Sequence, residues 1–309
     1  MRVVAAHRSR VHTLAFSPDG RRLASVAGVG TTVHLWDLAT GRPAQRLRGH
    51  AAPVAAVAFA PDAGRLASVD SQSSILLWDR AESGNYVRRP EPLRPGAFAA
   101  RGLAFSPDGR WLAAGGYGLH VWDLAGGKKV EWSTHRPTLW RRLLRPVYPV
   151  DVILALAFSP DGRWLVWSEP GGQAVHRRDL ASGQVERGWL PPLAAHAAGL
   201  AFSADGAVLA VVAGWGVTLF DTVTATRLRE LRGHRGLIWE LAWLPGGRTL
   251  ATASNDQTVR FWDADAGREA SQFAWGIGKV RAVAFAADGL TVAAGGEHGR
   301  IVLWDVDEG

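Results

Sequence analysis

The sequence predicts an all-β chain made of seven copies of one four-stranded antiparallel unit. Three observations predict it: one heptapeptide recurs, an aromatic–aspartate pair follows it at a nearly constant distance, and turn residues punctuate the chain evenly. The heptapeptide LAFSPDG stands at 14–20, 103–109 and 156–162, with variants VAFAPD (57–62), LAFSADG (200–206), LAWLPGG (241–247) and VAFAADG (283–289). The second signal is LWD (35–37), LWD (77–79), VWD (121–123), RRD (177–179), LFD (219–221), FWD (261–263) and LWD (303–305).

Each unit justifies its strands in order. An alternating apolar run such as VAAVAF supplies an inner strand, here named a, and the Pro-Asp-Gly-type turn ends it. A second run such as TLATAS gives strand b, and a Gly/Asn/Asp turn follows. The aromatic–aspartate segment is strand c. A more polar segment, as in GRPAQRLR, is the outer strand d. Four short strands per unit of about 42 residues describe a blade of a propeller, so the chain reads as a single seven-bladed β-propeller over residues 1–309.

The seven aspartates fall at 37, 79, 123, 179, 221, 263 and 305, so the spacings are 42, 44, 56, 42, 42 and 42. The long interval holds TLWRRLLRPVYP (138–149), an insertion expected to occupy about 134–150 as a d–a loop. TLWRRLLR can form two helical turns that Pro146 and Pro149 terminate. Only four residues follow Trp304-Asp305, too few for an outer strand. Arg2–Ala5 can supply it and close the ring, which leaves no long exposed edge.

These units resemble WD40 repeats over nearly the whole chain. Repeat 6, with Gly233-His234 and TLATASNDQTVRFWD, is the best match. The resemblance implies a blade brace of His234, Thr252 or Ser254, Asp256 and Trp262, a structural network rather than a catalytic pair. His7 and His50 keep the histidine's spacing of nine residues before the strand-a aromatic. The turn aspartate six residues before Trp is read only at Asp256, and repeat 4 has Arg178 where Trp is expected. Blades 3, 4 and 5 should therefore depend on apolar packing.

The resemblance further implies that the residue four before the strand-a aromatic points to the narrow top face. Those residues are His12, Ala55, Arg101, Leu154, Ala198, Trp239 and Arg281, joined by Tyr117, Trp215, Asn255, Glu297 and His298 from the b–c turns. Arginine and aromatic residues dominate interface hot spots. The candidate partner-binding set is therefore Arg101, Tyr117, Trp140, Arg141, Arg145, Trp215, Trp239 and Arg281. Each Trp could equally pack within its own blades, and the insertion could simply cover blade 4.

Composition bounds the function. The absence of cysteine excludes disulfides and thiolate metal sites. The net charge is +7, but 32 of the 35 basic residues are Arg and they are scattered, so coding bias accounts for the balance as well as a nucleic-acid footprint would. None of the ten histidines forms an HxH or HxxxH pair, and no phosphate loop or nucleophile elbow is present. A signal peptide and a membrane span are also missing, so a cytoplasmic, monomeric protein of bacterial type is expected. The sequence is read as a non-catalytic scaffold that binds a protein or peptide, with acidic groups a feature of the partner, and with no metal or cofactor. Nucleic-acid binding is the alternative. An enzyme built on Glu297, His298 and His12 is the weakest reading.

Overall fold

The computed structural model describes residues 2–5, 7–93, 102–116, 118–126, 128–130, 153–168 and 173–306. It is all-β, and seven antiparallel sheets of four strands each form a seven-bladed propeller. Blade 6 is representative, with strand a at Ile238–Trp243, b at Thr249–Ser254, c at Val259–Asp263 and d at Arg268–Phe273. Blade 4 has the shortest strands among the described residues, Leu156–Phe158, Trp164–Ser168, Val175–Asp179 and Val185–Glu186, the outermost of only two residues. No helix among the described residues is long and apolar enough to cross a membrane.

The ring closes as the sequence predicts. Arg2–Ala5 pairs antiparallel with Arg300–Asp305, from Arg2 opposite Leu303 to Ala5 opposite Arg300. The last blade thus takes strands a to c from one end of the chain and strand d from the other.

Local chemistry fixes the turns. In the a–b turn of blade 1, Ser17 Oγ donates to Asp19 Oδ1 at 2.6 Å and accepts from Arg22 N at 2.8 Å. The turn needs a left-handed residue, which Gly20 supplies at φ 67°. Five of the recurrent strand-c aspartates, Asp37, Asp123, Asp179, Asp221 and Asp263, accept from backbone N–H groups of the c–d turn. Asp37 Oδ1 accepts from Thr40 N at 2.9 Å, and Asp179 Oδ1 from Ser182 N at 2.8 Å. Arginines from strand b or the a–b turn reach strand-c carboxylates, as in Arg22–Asp37 (3.1 Å), Arg65–Asp79 (2.9 Å), Arg110–Asp123 (2.9 Å) and Arg163–Asp179 (2.9 Å).

The core lies between blades rather than within them. Seven apolar clusters occur among the described residues, and each joins two adjacent blades. Blade 1 meets blade 7 through Leu14, Phe16 and Trp36 against Ile301 and Leu303. Such packing stabilises a blade only through its neighbours. The seam between blades 3 and 4 has the fewest buried members, among them Ile153, Leu165 and Trp167.

Candidate functional site

The top-face residues have a structural cause. Where strand a enters its sheet, the a–b register slips by one residue in blades 1, 2, 5, 6 and 7. The residues that the register skips are His12, Ala55, Ala198, Trp239 and Arg281. A β-bulge of this kind bends the strand and re-aims the side chain at the end of the sheet. The rule of four residues before the aromatic is therefore a count to the bulge. Leu154 stands at the same place in blade 4 ahead of its strand, and its N–H donates to Ser168 Oγ at 3.2 Å.

Two bulges come together chemically. The Arg281 guanidinium of blade 7 lies over the Trp239 ring of blade 6, 4.2 Å from its centroid. The Trp239 indole N–H donates to Asn255 Oδ1 in its own b–c turn at 2.7 Å, which fixes the ring edge. Trp239 remains 44% exposed. Beside it, Leu237 is 46% exposed and Trp215, in the b–c turn of blade 5, is 59% exposed. The strands tie these residues together. Asn255 N donates to Leu237 O at 2.9 Å, and Ile238 N, between Leu237 and Trp239, donates to Gly214 O at 3.4 Å. Burial and then the charge of Arg10 lower the Arg281 pKa, while Glu297 opposes the change. Glu297 itself faces Lys279 at 3.8 Å.

Residue 240, the first after the blade 6 bulge, is a glutamate. The corresponding residues of the other blades are Thr13, Ala56, Gly102, Ala155, Gly199 and Ala282, none of them charged. Thr13 Oγ1 there donates across to Ala55 O of the next blade at 3.3 Å. Burial pushes the Glu240 carboxyl up to about 8.

Of the remaining candidates, Arg101, Tyr117, Trp140, Arg141 and Arg145 lie outside the described residues. So does the whole insertion at 138–149.

The blade brace is present in full in blade 6 and has a second copy in blade 2. In blade 6, His234 Nδ1 meets Asp256 Oδ2 at 2.8 Å and Nε2 meets Thr252 Oγ1 at 2.7 Å, while the Trp262 indole N–H donates to the same Thr252 oxygen at 2.8 Å. Thr252 takes the hydroxyl place. Ser254 instead donates to Gly236 O at 3.1 Å. In blade 2, His50 meets Asp70 at 2.9 Å and Ser68 at 2.7 Å, and Trp78 donates to Ser68 at 2.9 Å. The reading that Asp256 is the sole brace aspartate is therefore corrected. Asp70 stands eight residues before its Trp, at the end of strand b where blade 6 has Ser254, and reaches the same imidazole nitrogen from there. Blade 1 has a shorter set in which Ser25 Oγ meets His7 Nε2 at 2.8 Å and accepts from Trp36 at 2.8 Å.

The order Asp70–His50–Ser68 is that of a hydrolytic triad, but the arrangement cannot act as one. Ser68 is wholly buried and already accepts the Trp78 indole proton, and the His50 side chain has no exposed surface. Burial lowers the pKa of His50 and of His234 despite the aspartate beside each. Neutral imidazole with Nδ1–H donating to Asp and Nε2 accepting from the hydroxyl satisfies every member. Among the described residues, no group of three or more His, Asp or Glu could hold a metal ion.

The remaining blades fill the same space differently. Registers place Ala114, Trp167, Val211 and Ala294 where blades 1, 2 and 6 have a hydroxyl. In blade 4 the indole has moved to strand b, where Trp167 is buried 5.5 Å from the His176 ring. In blade 7, Trp304 packs at a tilt of 48° against Trp275 with centroids 4.2 Å apart, and Phe273 lies at 5.8 Å.

The family described as WD domain, G-beta repeat matches residues 1–37, 41–79, 96–123, 225–263 and 276–305. The match leaves out 124–224, where Arg178 and Phe220 replace the strand-c Trp. The Denticleless protein homolog of Danio rerio is 36% identical over 92 residues, which cover 29% of this chain and 14% of that protein. The human Denticleless protein homolog is 35% identical over 78 residues, covering 25% and 11%. An uncharacterised WD repeat-containing protein of Synechocystis sp. is 31% identical over 145 residues, covering 47% of this chain and 41% of its own. The chain thus spans only a small part of the Denticleless relatives and under half of the cyanobacterial one. The repeats, their seven-fold closure and the hydrogen-bonded brace agree with the family match, and the chain belongs to the WD40 repeat family.

Proposed function

We propose that this chain is a non-catalytic scaffold that binds a protein or peptide on the top face, in the sector of blades 5 to 7. One observation carries the reading. Trp215 and Trp239 are the only exposed tryptophan, tyrosine or phenylalanine side chains among the described residues, and Leu237 is exposed in the same sector. Aromatic residues left in water beside an ordered arginine are what interface hot spots are made of. The sector's ligand should therefore be a chain that lies flat across the face, not a small molecule enclosed in a pocket.

The test compares the proteins retained from a cell extract by the wild-type chain and by Trp215→Ser/Trp239→Ser. Both substitutions sit on exposed residues, so the melting temperature should stay within the small range of surface changes. A partner retained by the wild type and lost by the variant supports the reading. Equal retention by both would end it.

A nucleic-acid scaffold is less well supported, because arginines such as Arg22, Arg65, Arg110 and Arg163 face aspartates that neutralise them. Binding to DNA or RNA that falls steeply with salt would reverse that preference.

A further inference from the structure

We infer that the seam between blades 6 and 7 on the top face recognises a carboxylate set next to an apolar side chain in an extended partner segment. The inference rests on the top-face reading above and names the chemistry of the partner.

The donor is Arg281. Its Nε is buried, and among the described residues it has no hydrogen-bond acceptor. The guanidinium is thus short of an acceptor, and a partner oxygen reaching it would relieve that shortfall. The guanidinium already lies over Trp239, its carbon 4.2 Å from the ring centroid, so part of its rotamer freedom is already lost. The surroundings are positive. Arg10 acts on Arg281 as a like charge, and the nearest acid felt by it, Glu297, is shared with Lys279 at 3.8 Å.

The apolar part is contiguous with the donor. The Trp239 ring carries Arg281, and its Nε1–H is occupied by Asn255, so the free surface of the indole is apolar. Leu237 and Trp215 are exposed at the neighbouring positions, where Ile238 N donates to Gly214 O at 3.4 Å. A partner residue resting on them would sit beside one directed at Arg281. A planar guanidinium suits a carboxylate better than a neutral amide, because the hydrogen bonds are charge-assisted and two can form in parallel. A basic partner segment would meet Arg10 and Arg281 as like charges and be disfavoured.

A displayed random decapeptide library tests this, in one format with free C-termini and in one with C-termini fused to the carrier. Peptides selected on the wild-type chain should be enriched in Asp or Glu within two residues of Leu, Ile, Phe or Trp. A requirement for the free C-terminus would identify a terminal carboxylate as the source instead. Replacing the carboxylate of a selected peptide by carboxamide should weaken it about tenfold, and Arg281→Gln should abolish the acidic bias. Arg281→Lys, which keeps charge without the fork, should retain part of it.

Selection without acidic bias, or a bias that survives Arg281→Gln in a folded variant, overturns the inference. If such unbiased binders are still lost in Trp215→Ser/Trp239→Ser, the scaffold reading stands and only the carboxylate is wrong. No selectable peptide at all, or binders indifferent to both tryptophans, sinks the two together.

Discussion

Blade 6 buries Trp262 against a histidine, and blade 7 buries Trp304 against another indole. In blade 6 each polar atom has a partner, from the Trp262 N–H through Thr252 and His234 to Asp256. In blade 7 the register offers Ala294 where a hydroxyl would be, and the Trp304 N–H has no acceptor among the described residues. Tilted ring contacts with Trp275 and Phe273 take over. Hydrogen bonds are directional and dispersion is not, so blade 6 is held in one arrangement while blade 7 trades that for contact area. The two blades show that one backbone accepts either solution, provided that each is complete.

The largest test of that contrast removes the aspartates. Asp256→Ala and Asp70→Ala should each cost about 2–4 kcal/mol in urea unfolding, because a buried imidazole then loses its partner. A loss below about 0.5 kcal/mol in either case, the size of an ordinary surface change, would mean that the brace is not stabilising.

Acid should separate the blades next. Burial, with the nearby charges of His34, His12 and Arg46, holds the His7 pKa near 4, below its ordinary 6.5. His50 and His234 are lowered as well, chiefly by burial. Between those limits the unfolded chain binds more protons than the folded one, so stability should fall as pH drops from 6.5 toward 4. Amide hydrogen exchange should accelerate in blades 1, 2 and 6 before blade 7. Simultaneous loss of protection in all blades would count against a local cause.

Glu240 has the opposite sign. Its folded pKa of about 8 lies above its ordinary 4.5, so in that window the folded state holds the extra proton and stability falls as pH rises. Glu240→Gln should raise the melting temperature at pH 8, and the gain should vanish at pH 4.5. A gain that does not change with pH would point to packing.

Two smaller changes address the indoles themselves. Trp262→Phe should cost about 1 kcal/mol more than Trp304→Phe, since only the former breaks a hydrogen bond. Conversely, Ala294→Ser should give the Trp304 N–H an acceptor and stabilise blade 7 by up to about 1 kcal/mol. Equal costs for the two Phe variants would show that the blade 6 hydrogen bond adds nothing net.

What could be read from the sequence follows from what repeats in it. Seven aspartates at even spacing fixed the number of blades, and the four residues after Asp305 pointed to Arg2–Ala5 as the closing strand. Asp70 escaped because the brace was sought at one distance from Trp, whereas carboxylates from two backbone positions reach the same imidazole. The signal was His50 itself, correctly spaced and in need of an acceptor. Glu240 was visible as the one acid inside the apolar run IWELAW, but its setting depends on its neighbours across the seam. The pairing of Trp239 with Arg281 joins residues 42 positions apart, and only the ring brings them together. Trp167 lies in strand b opposite His176, two residues before the Arg178 that replaces the strand-c indole, a placement that only the register gives.

The brace blades also share a turn. Ser73 and Gln257 occupy matching positions after strand b and both have positive φ, 74° and 72°. A non-glycine residue there costs about 1–2 kcal/mol, and the aspartate oxygens that accept from neighbouring N–H groups in the same turns offset it.

The shared sheet of the two chain ends sets an order of events during synthesis. Arg2–Ala5 leaves the ribosome before its partner, and the edge it must cover exists only after Arg300–Asp305 has emerged. While the repeats between them are made, Arg2–Ala5 waits without a neighbour, and the circle closes only when the third strand of blade 7 arrives.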